Sequence, residues 1–196
     1  MARAYLEKHP SRSWSLSPLG RKLPEFLAGK ARVPRQEAVR ALAAVEVAMA
    51  EVFDETGATA LTPADFAALD PAQFISSSLS FVPSFRLLEV DYDVNPYIDA
   101  VRQERPKTPP LRRKKSWIAI YRKAFKVWRL DLREPAYAGL SVLWREGRTV
   151  GSAVAAIARR WNGAPGALPG QIKQWFGEWS SEGFFSAIRL RGKGRS

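Results

Sequence analysis

Apolar residues recur with two different periods along this chain, and each period predicts a different element. From Pro34 to Asp54 they recur every three or four positions, as on one face of a helix, and Pro34 suits the first turn. This apolar stripe consists of Val39, Leu42, Val45, Met49, Val52 and Phe53. Glu46 falls inside the stripe, so we expect its carboxylate to be buried in a structural ion pair. The expected partners are Arg12 and Arg86, because apolar segments flank both bases.

A period of two follows the helical region. Residues 79–82 and 85–92 are predicted as two short strands, because apolar and acidic residues alternate in the second one. We expect these strands to pair with each other as a β-hairpin. Residues 1–104 are therefore predicted to form a mainly helical unit with a short two-stranded sheet.

A run of prolines and bases at residues 105–115 is predicted to be a linker and the domain boundary. Beyond it, residues 116–190 contain a predicted hairpin, three helices and a last strand. This order is typical of a winged helix-turn-helix unit, and a basic tail at residues 191–196 follows it. The predicted fold class is α+β, with a helical first unit and a winged-helix-like second unit.

The residues that most often carry catalysis and metal binding are scarce. The 196 residues include no Cys and a single His, His9. Thiolate nucleophiles and Cys-based metal sites are therefore excluded, and no GxSxG, HExxH, Walker-type or GxGxxG motif occurs. We predict that the chain is not an enzyme and carries no metal or cofactor of its own.

The sequence also predicts a cytoplasmic protein that does not enter a membrane. No apolar stretch follows Met1 as in a secretory signal, and no apolar run approaches the ~20 residues of a membrane-spanning helix. The absence of Cys agrees with an intracellular location.

Charge is distributed unevenly along the chain, whose formal net charge is +12. Residues 36–99 contain eleven acids and two bases, whereas residues 100–130 contain eleven bases and one acid. A basic second half suits an anionic partner, such as an acidic peptide, an acidic protein surface or nucleic acid. The basic patch predicted there consists of Arg112, Arg113, Lys114, Lys115, Arg122 and Lys123. Such a run is either a solvated surface or a non-specific phosphate-binding site.

The second unit resembles a known class of peptide-binding module. The segment from Ala136 to Trp161, AYAGLSVLWREGRTVGSAVAAIARRW, resembles the helix-Gly-Thr-helix part of peptide-recognition elements. Those elements are winged-helix modules that bind the leader regions of ribosomally made, modified peptides. The resemblance implies that a leader peptide binds here.

A second resemblance is carried by three segments of the first unit: HPSRSWSLSPLGRKLPEFLA (residues 9–28), AVEVAMAEVFD (residues 44–54) and VNPYIDAVR (residues 94–102). They resemble the HvfC/BufC family, which is often labelled as a DNA-binding domain family, and the resemblance spans nearly all of the chain. It implies a partner subunit of a multinuclear non-haem iron oxidative enzyme that modifies Cys residues of a precursor peptide. The iron would belong to that enzyme. Family members usually carry a further N-terminal helical domain, which has no counterpart before His9.

By analogy with peptide-recognition elements, the leader would add as a strand to the second predicted hairpin. One wall of the expected groove is Val127, Trp128, Arg129 and Leu130, and the other is Gln171, Gln174, Trp175 and Trp179. The alternative interpretation is that the three tryptophans are simply core residues, because aromatic residues at helical spacing usually are.

A second hypothesis is a DNA-binding transcriptional regulator that uses the helix-turn-helix at residues 136–161. Its recognition helix would offer only Ser152, Arg159 and Arg160 as reading groups. Base readout favours Arg, Asn or Gln near the start of such a helix, so the adaptor is the leading hypothesis.

Overall fold

A three-stranded antiparallel sheet between two layers of helices forms the centre of the protein. The computed structural model describes residues 2–10, 20–29 and 35–190. Its mixture of helices and strands confirms the predicted α+β class. The predicted basic tail at residues 191–196 and the predicted ion-pair partner Arg12 lie outside the described residues.

Helices precede the first strands along the chain. They are α1 (Ala2–Lys8), α2 (Leu23–Ala28), α3 (Gln36–Asp54), α4 (Pro63–Ala67) and α5 (Pro71–Ser76), and they lead to β1 (Ser78–Phe81) and β2 (Phe85–Tyr92). The chain continues with α6 (Asn95–Arg102), β3 (Arg113–Lys123), β4 (Lys126–Leu132), α7 (Glu134–Trp144), α8 (Val150–Arg160), a 3-10 turn (Pro165–Ala167), α9 (Leu168–Ser181) and β5 (Phe185–Arg189).

Short polar signals set several of the helix boundaries. The Asp70 side chain accepts hydrogen bonds from the backbone N–H groups of Ala72 and Gln73 at the start of α5. Thr149 Oγ1 accepts one from the Ser152 N–H at the start of α8. These side chains satisfy donors that the first helical turn leaves unpaired. Gly147, in the turn before α8, has a φ of +61°, a conformation that glycine adopts without strain.

The central sheet has the strand order β2-β3-β4 and is buried on both faces. Side chains alternate along β3, so Ile118 and Ile120 point to one face while Ala119 and Tyr121 point to the other. The first face packs against α3 and α6, and the second packs against α7, α8 and α9. Burial on both faces explains why the middle of β3, from Trp117 to Tyr121, is an unbroken apolar run between charged ends.

A second, two-stranded sheet joins distant parts of the chain. Strand β1 pairs with β5 in antiparallel register, with Ser78 opposite Arg189 and Leu79 opposite Ile188. Phe184 and Phe185, at the start of this last segment, are fully buried in the core, Phe184 against Phe85 and Phe185 against Phe81. The C-terminal strand therefore completes the core that the middle of the chain begins.

The strand pairing corrects two expectations. Strands β1 and β2 do not form a hairpin with each other, because β1 pairs with β5 and β2 pairs with β3. Residues 105–115 do not separate two domains either, because β3 begins at Arg113 and its pairing with β2 crosses the expected boundary. Units 1–104 and 116–190 share one sheet and cannot be structurally independent.

The second predicted hairpin is present as β3 and β4, with a two-residue turn at Ala124 and Phe125. Both turn residues have positive φ values, +49° and +61°. That geometry matches the twist of the paired strands, although Gly or Asn usually supplies it. This hairpin therefore forms without the Gly or Asn that usually occupies such a turn, and Ala and Phe adopt the left-handed conformation instead.

Helix α3 has a different buried face from the predicted one. Its buried residues include Ala38, Ala41, Ala43 and Ala48 beside Val45, Met49 and Val52. The alanines shift the centre of this face, so Glu46 and Phe53 lie roughly 100° away from it. Glu46 is exposed and has no ion pair among the described residues, so its predicted burial is wrong. Arg86 instead binds Glu51 and Glu55.

The helices of the described ranges are too short or too polar to cross a membrane.

Candidate functional site at the edge of β4

Strand β4 is an edge strand whose outer side has no partner strand among the described residues. The Arg122 N–H donates to the Ser84 carbonyl, so β3 residues with even numbers bond to β2. By alternation, the odd-numbered β3 residues bond to β4 through its even-numbered residues. The N–H and C=O groups of Val127, Arg129 and Asp131 therefore point away from the sheet. This row of free groups is what an incoming extended peptide needs.

An apolar groove of about 680 Å³ lies beside the start of this edge. It is lined from α3 by Glu46, Met49, Ala50, Phe53 and Asp54, from α6 by Tyr97, Ile98, Val101 and Arg102, and from the β3–β4 turn and β4 by Phe125, Lys126 and Val127. Phe53, Val101 and Phe125 are 61%, 50% and 95% exposed. Three large apolar side chains thus meet solvent around a concave surface, which is a feature of binding sites.

Sequence reasoning missed most of this groove. Phe53 was assigned to the buried stripe of α3, and Val101 was not singled out. Phe125 carried a usable signal, because an aromatic residue in a turn without Gly or Asn departs from ordinary hairpin chemistry.

Arg129, in the middle of β4, carries a buried and incompletely paired guanidinium. Its side chain is 9% exposed, and its Nη2 is paired with an Asp99 carboxylate oxygen. Nη1 donates to the Met49 thioether at 3.5 Å, and the buried Nε has no hydrogen-bond partner in the described part of the chain. Burial lowers the pKa of Arg129, while the Asp99 carboxylate opposes that shift. Met49 also lines the groove, so this charge lies directly behind it.

Asp131 is the next residue of β4 whose main-chain groups point away from the sheet. Its carboxylate accepts a 2.6 Å hydrogen bond from Asn95 Nδ2 at the start of α6. Desolvation raises the pKa of Asp131, while the Asn95 bond acts to lower it. This contact ties the end of the edge strand to α6.

The second wall expected for the peptide groove is largely a core surface. Trp179 is fully buried and Trp175 is 6% exposed, so the core interpretation of these two tryptophans is confirmed and their role as groove residues is wrong. Gln174 is exposed, and Gln171 is half-buried and donates to it. Trp128 differs from the other two tryptophans because it is 49% exposed.

The residues expected on β4 divide between the two faces of the sheet. Trp128 lies opposite Tyr121, so it shares the α9 side with Leu130, which packs against the core there. Val127 and Arg129 face α3 and α6 instead. The edge of β4 is thus accessible between an exposed indole on one face and the apolar groove on the other.

The six residues of the predicted basic patch do not form one surface. Those at the start of β3 and those at its end lie roughly 30 Å apart along the strand. Lys114 is paired with Asp93 at 3.1 Å, Lys115 with Glu89 at 2.8 Å, and Lys123 with Glu182 at 3.1 Å. Arg112 and Arg113 are exposed.

Arg122 has a structural role at the end of α3. Its guanidinium donates to the carbonyl oxygens of Phe53 and, at 2.7 Å, Glu55. These carbonyls belong to the last helical turn, where the helix itself supplies no donor. Arg122 therefore fixes α3 to the sheet and holds the wall that carries Phe53.

The start of α8, which would read DNA in a helix-turn-helix, is covered. The Val150 N–H donates to the Ser77 carbonyl at 2.9 Å, and Gly151 lies against Ile75 of α5. A recognition helix needs its N-terminal residues free to reach base edges. This contact disfavours the DNA-binding hypothesis.

Among residues 2–10, 20–29 and 35–190, no group of three or more His, Cys, Asp or Glu side chains could hold a metal ion. No protein-family model matches the sequence, and no curated protein matches it.

Proposed function

We propose that the protein is a non-catalytic partner subunit that binds the leader region of a precursor peptide and presents it to an iron-dependent oxidative enzyme. The leader would add to β4 as a fourth antiparallel or parallel strand. The observation that carries the proposal is the outward row of main-chain groups at Val127, Arg129 and Asp131. Strand addition uses such a row for affinity and the neighbouring pockets for specificity.

Charge and exposure support the same edge. Lys126 at its start is exposed and has no ion pair in the described ranges, and the whole chain is strongly basic. An acidic leader would be attracted to such a surface. The identity of the enzyme partner, and the heterodimer formed with it, rest on the HvfC/BufC resemblance alone.

Strand addition is tested by removing one outward N–H group. Asp131→Pro deletes that donor at a position where proline is tolerated in an edge strand, and Asp131→Ala is the matched control that keeps it. The probe is a set of twelve-residue peptides selected by the wild-type protein from a random display library. We expect Asp131→Pro to weaken their binding at least tenfold and Asp131→Ala to weaken it less than threefold, by calorimetry.

Two results would contradict strand addition. One is equal binding by both variants when their circular dichroism and thermal midpoints match those of the wild type. The other is a selection that enriches no peptide at all.

The partner role needs a separate experiment. An iron enzyme encoded beside this chain, and a short Cys-containing peptide encoded with it, should co-purify with the protein when all three are co-expressed. Modification of the peptide, followed by mass spectrometry, should require the chain and fall with Asp131→Pro. Tight binding of duplex DNA at physiological salt without any affinity for enzyme or peptide would refute the proposal.

A further inference from the structure

We infer that the groove between α3, α6 and the start of β4 is a side-chain pocket that selects one large apolar residue of the bound peptide. This inference rests on the proposed strand addition. It assigns the ligand to a class: extended segments with an aromatic or large aliphatic residue at the position opposite the start of β4.

The side chain of a peptide residue bound opposite Val127 points to the groove side of the sheet. The partly buried Val127 packs in the cluster formed by α3 and α6, so its side chain is on the groove side of the sheet. Residues directly opposite each other on paired strands point to the same face, with Cβ atoms roughly 5 Å apart. A peptide residue opposite Val127 therefore projects its side chain towards the groove, whichever peptide is bound.

The lining of the groove is apolar and partly exposed to solvent. Met49, Phe53, Ile98, Val101 and Phe125 supply an apolar lining, and three of these side chains are at least half exposed. A large apolar residue entering the groove would remove its own surface and theirs from water. Burial of one such side chain corresponds to roughly a 10- to 100-fold gain in affinity.

The rim of the groove carries charges of both signs. Glu46 and Asp54 on the α3 side and Arg102 and Lys126 on the other are all exposed and without ion pairs in the described part of the chain. A polar rim of both signs around an apolar floor is the usual anatomy of a recognition site. It suits a peptide, whose main chain and neighbouring side chains are polar.

A second copy of the protein is the less suitable occupant. Two chains that each carry a formal charge of +12 repel each other. A peptide strand satisfies both the open edge and the groove at once, with no such cost.

The test repeats the library selection with the groove filled. Ala50 is exposed on α3 and lines the groove, so Ala50→Trp places an indole in it. Ala155→Trp, at an exposed position of α8, is the matched control. We expect wild-type and Ala155→Trp selections to share a large apolar residue at one fixed position. Ala50→Trp should still enrich peptides but lose that preference.

A mutant cycle makes the result quantitative. Alanine at the preferred peptide position should weaken binding to the wild-type protein 10- to 100-fold and to Ala50→Trp less than threefold. Enriched peptides with no positional preference, or with the same preference on Ala50→Trp, would overturn the pocket while leaving strand addition in place. Selection of no peptide would overturn both. A wild-type dimer that Ala50→Trp dissociates in sedimentation would assign the groove to a second copy and also overturn the inference.

Discussion

Arg86 and Arg129 are both partly buried, but their surroundings differ greatly. Arg86 is 23% exposed at its side chain and binds Glu51 and Glu55 at 3.1 and 2.6 Å. It also donates to the carbonyls of Pro83 and Phe85, so its guanidinium is well satisfied. Arg129 is more deeply buried, yet its Nε has no hydrogen-bond partner in the described chain and one of its acceptors is a thioether.

These surroundings predict effects of different size for the same substitution. Arg86→Met leaves the half-buried Glu55 carboxylate without its cation and leaves Glu51 with only the more exposed Arg21, so we expect the free energy of unfolding to fall by about 1–3 kcal/mol. Arg129→Met removes a poorly compensated charge and leaves Asp99, whose side chain is 50% exposed, and Asp131, which keeps its hydrogen bond from Asn95, so the change should stay within about 1 kcal/mol. Urea unfolding followed by tryptophan fluorescence measures both values.

The control for these variants is Arg3→Met, which removes an exposed pair within α1 and should change stability by less than about 0.5 kcal/mol. A larger loss from Arg129→Met than from Arg86→Met would show that burial, rather than hydrogen-bond satisfaction, decides the outcome.

The β3–β4 turn combines a strained backbone conformation with an exposed aromatic side chain. Phe125 has a φ of +61° and is 95% exposed, so neither its conformation nor burial in the fold favours an aromatic residue there. Strain of this kind persists where a site uses it. Here the turn holds the phenyl ring at the mouth of the groove.

Replacing Phe125 should therefore separate stability from binding. Phe125→Gly suits the left-handed conformation, so we expect it to raise stability by about 0.5–1 kcal/mol. The same change should weaken peptide binding about tenfold because it removes one groove wall. Thermal unfolding and calorimetry with the selected peptides measure the two effects. A variant that loses stability and keeps full affinity would show that the ring serves the fold instead.

Local elements were predictable from the sequence, whereas their pairing was not. The alternation of residues 85–92, the cap at Thr149 and the hairpin of β3 and β4 all follow from neighbours in the chain. The pairing of β1 with β5 depends on residues far apart in sequence, which periodicity cannot reveal.

The two parts of the candidate site, the β4 edge and the groove, also differ in how far the sequence predicts them. The β4 strand was predictable from its neighbours, and the groove was not, because it is made by three separate elements. Glu46 was misplaced since small alanines, which carry a weak hydrophobic signal, set the buried face of α3.

The central sheet joins both halves of the chain into one cooperative unit. Strand β2 comes from one side of the expected boundary, whereas β3 and β4 come from the other. Two apolar clusters use opposite faces of this sheet, so neither survives without it.

We therefore expect fragments 1–104 and 105–196 to be unfolded when expressed alone and to regain structure only when mixed. The intact chain should unfold in a single transition. Amide NMR spectra of the fragments and calorimetry of the whole chain measure these outcomes. A well-dispersed spectrum from fragment 105–196 alone would restore the two-domain interpretation.

The pairing of β1 with β5 also has a consequence for synthesis in the cell. Strand β1 leaves the ribosome long before Phe184, Phe185 and β5 have been made. Until β5 has been synthesised, the growing chain presents an open strand and an unfilled aromatic core to chaperones. A premature stop codon before residue 184 should therefore yield a product that is degraded rather than a shortened working protein.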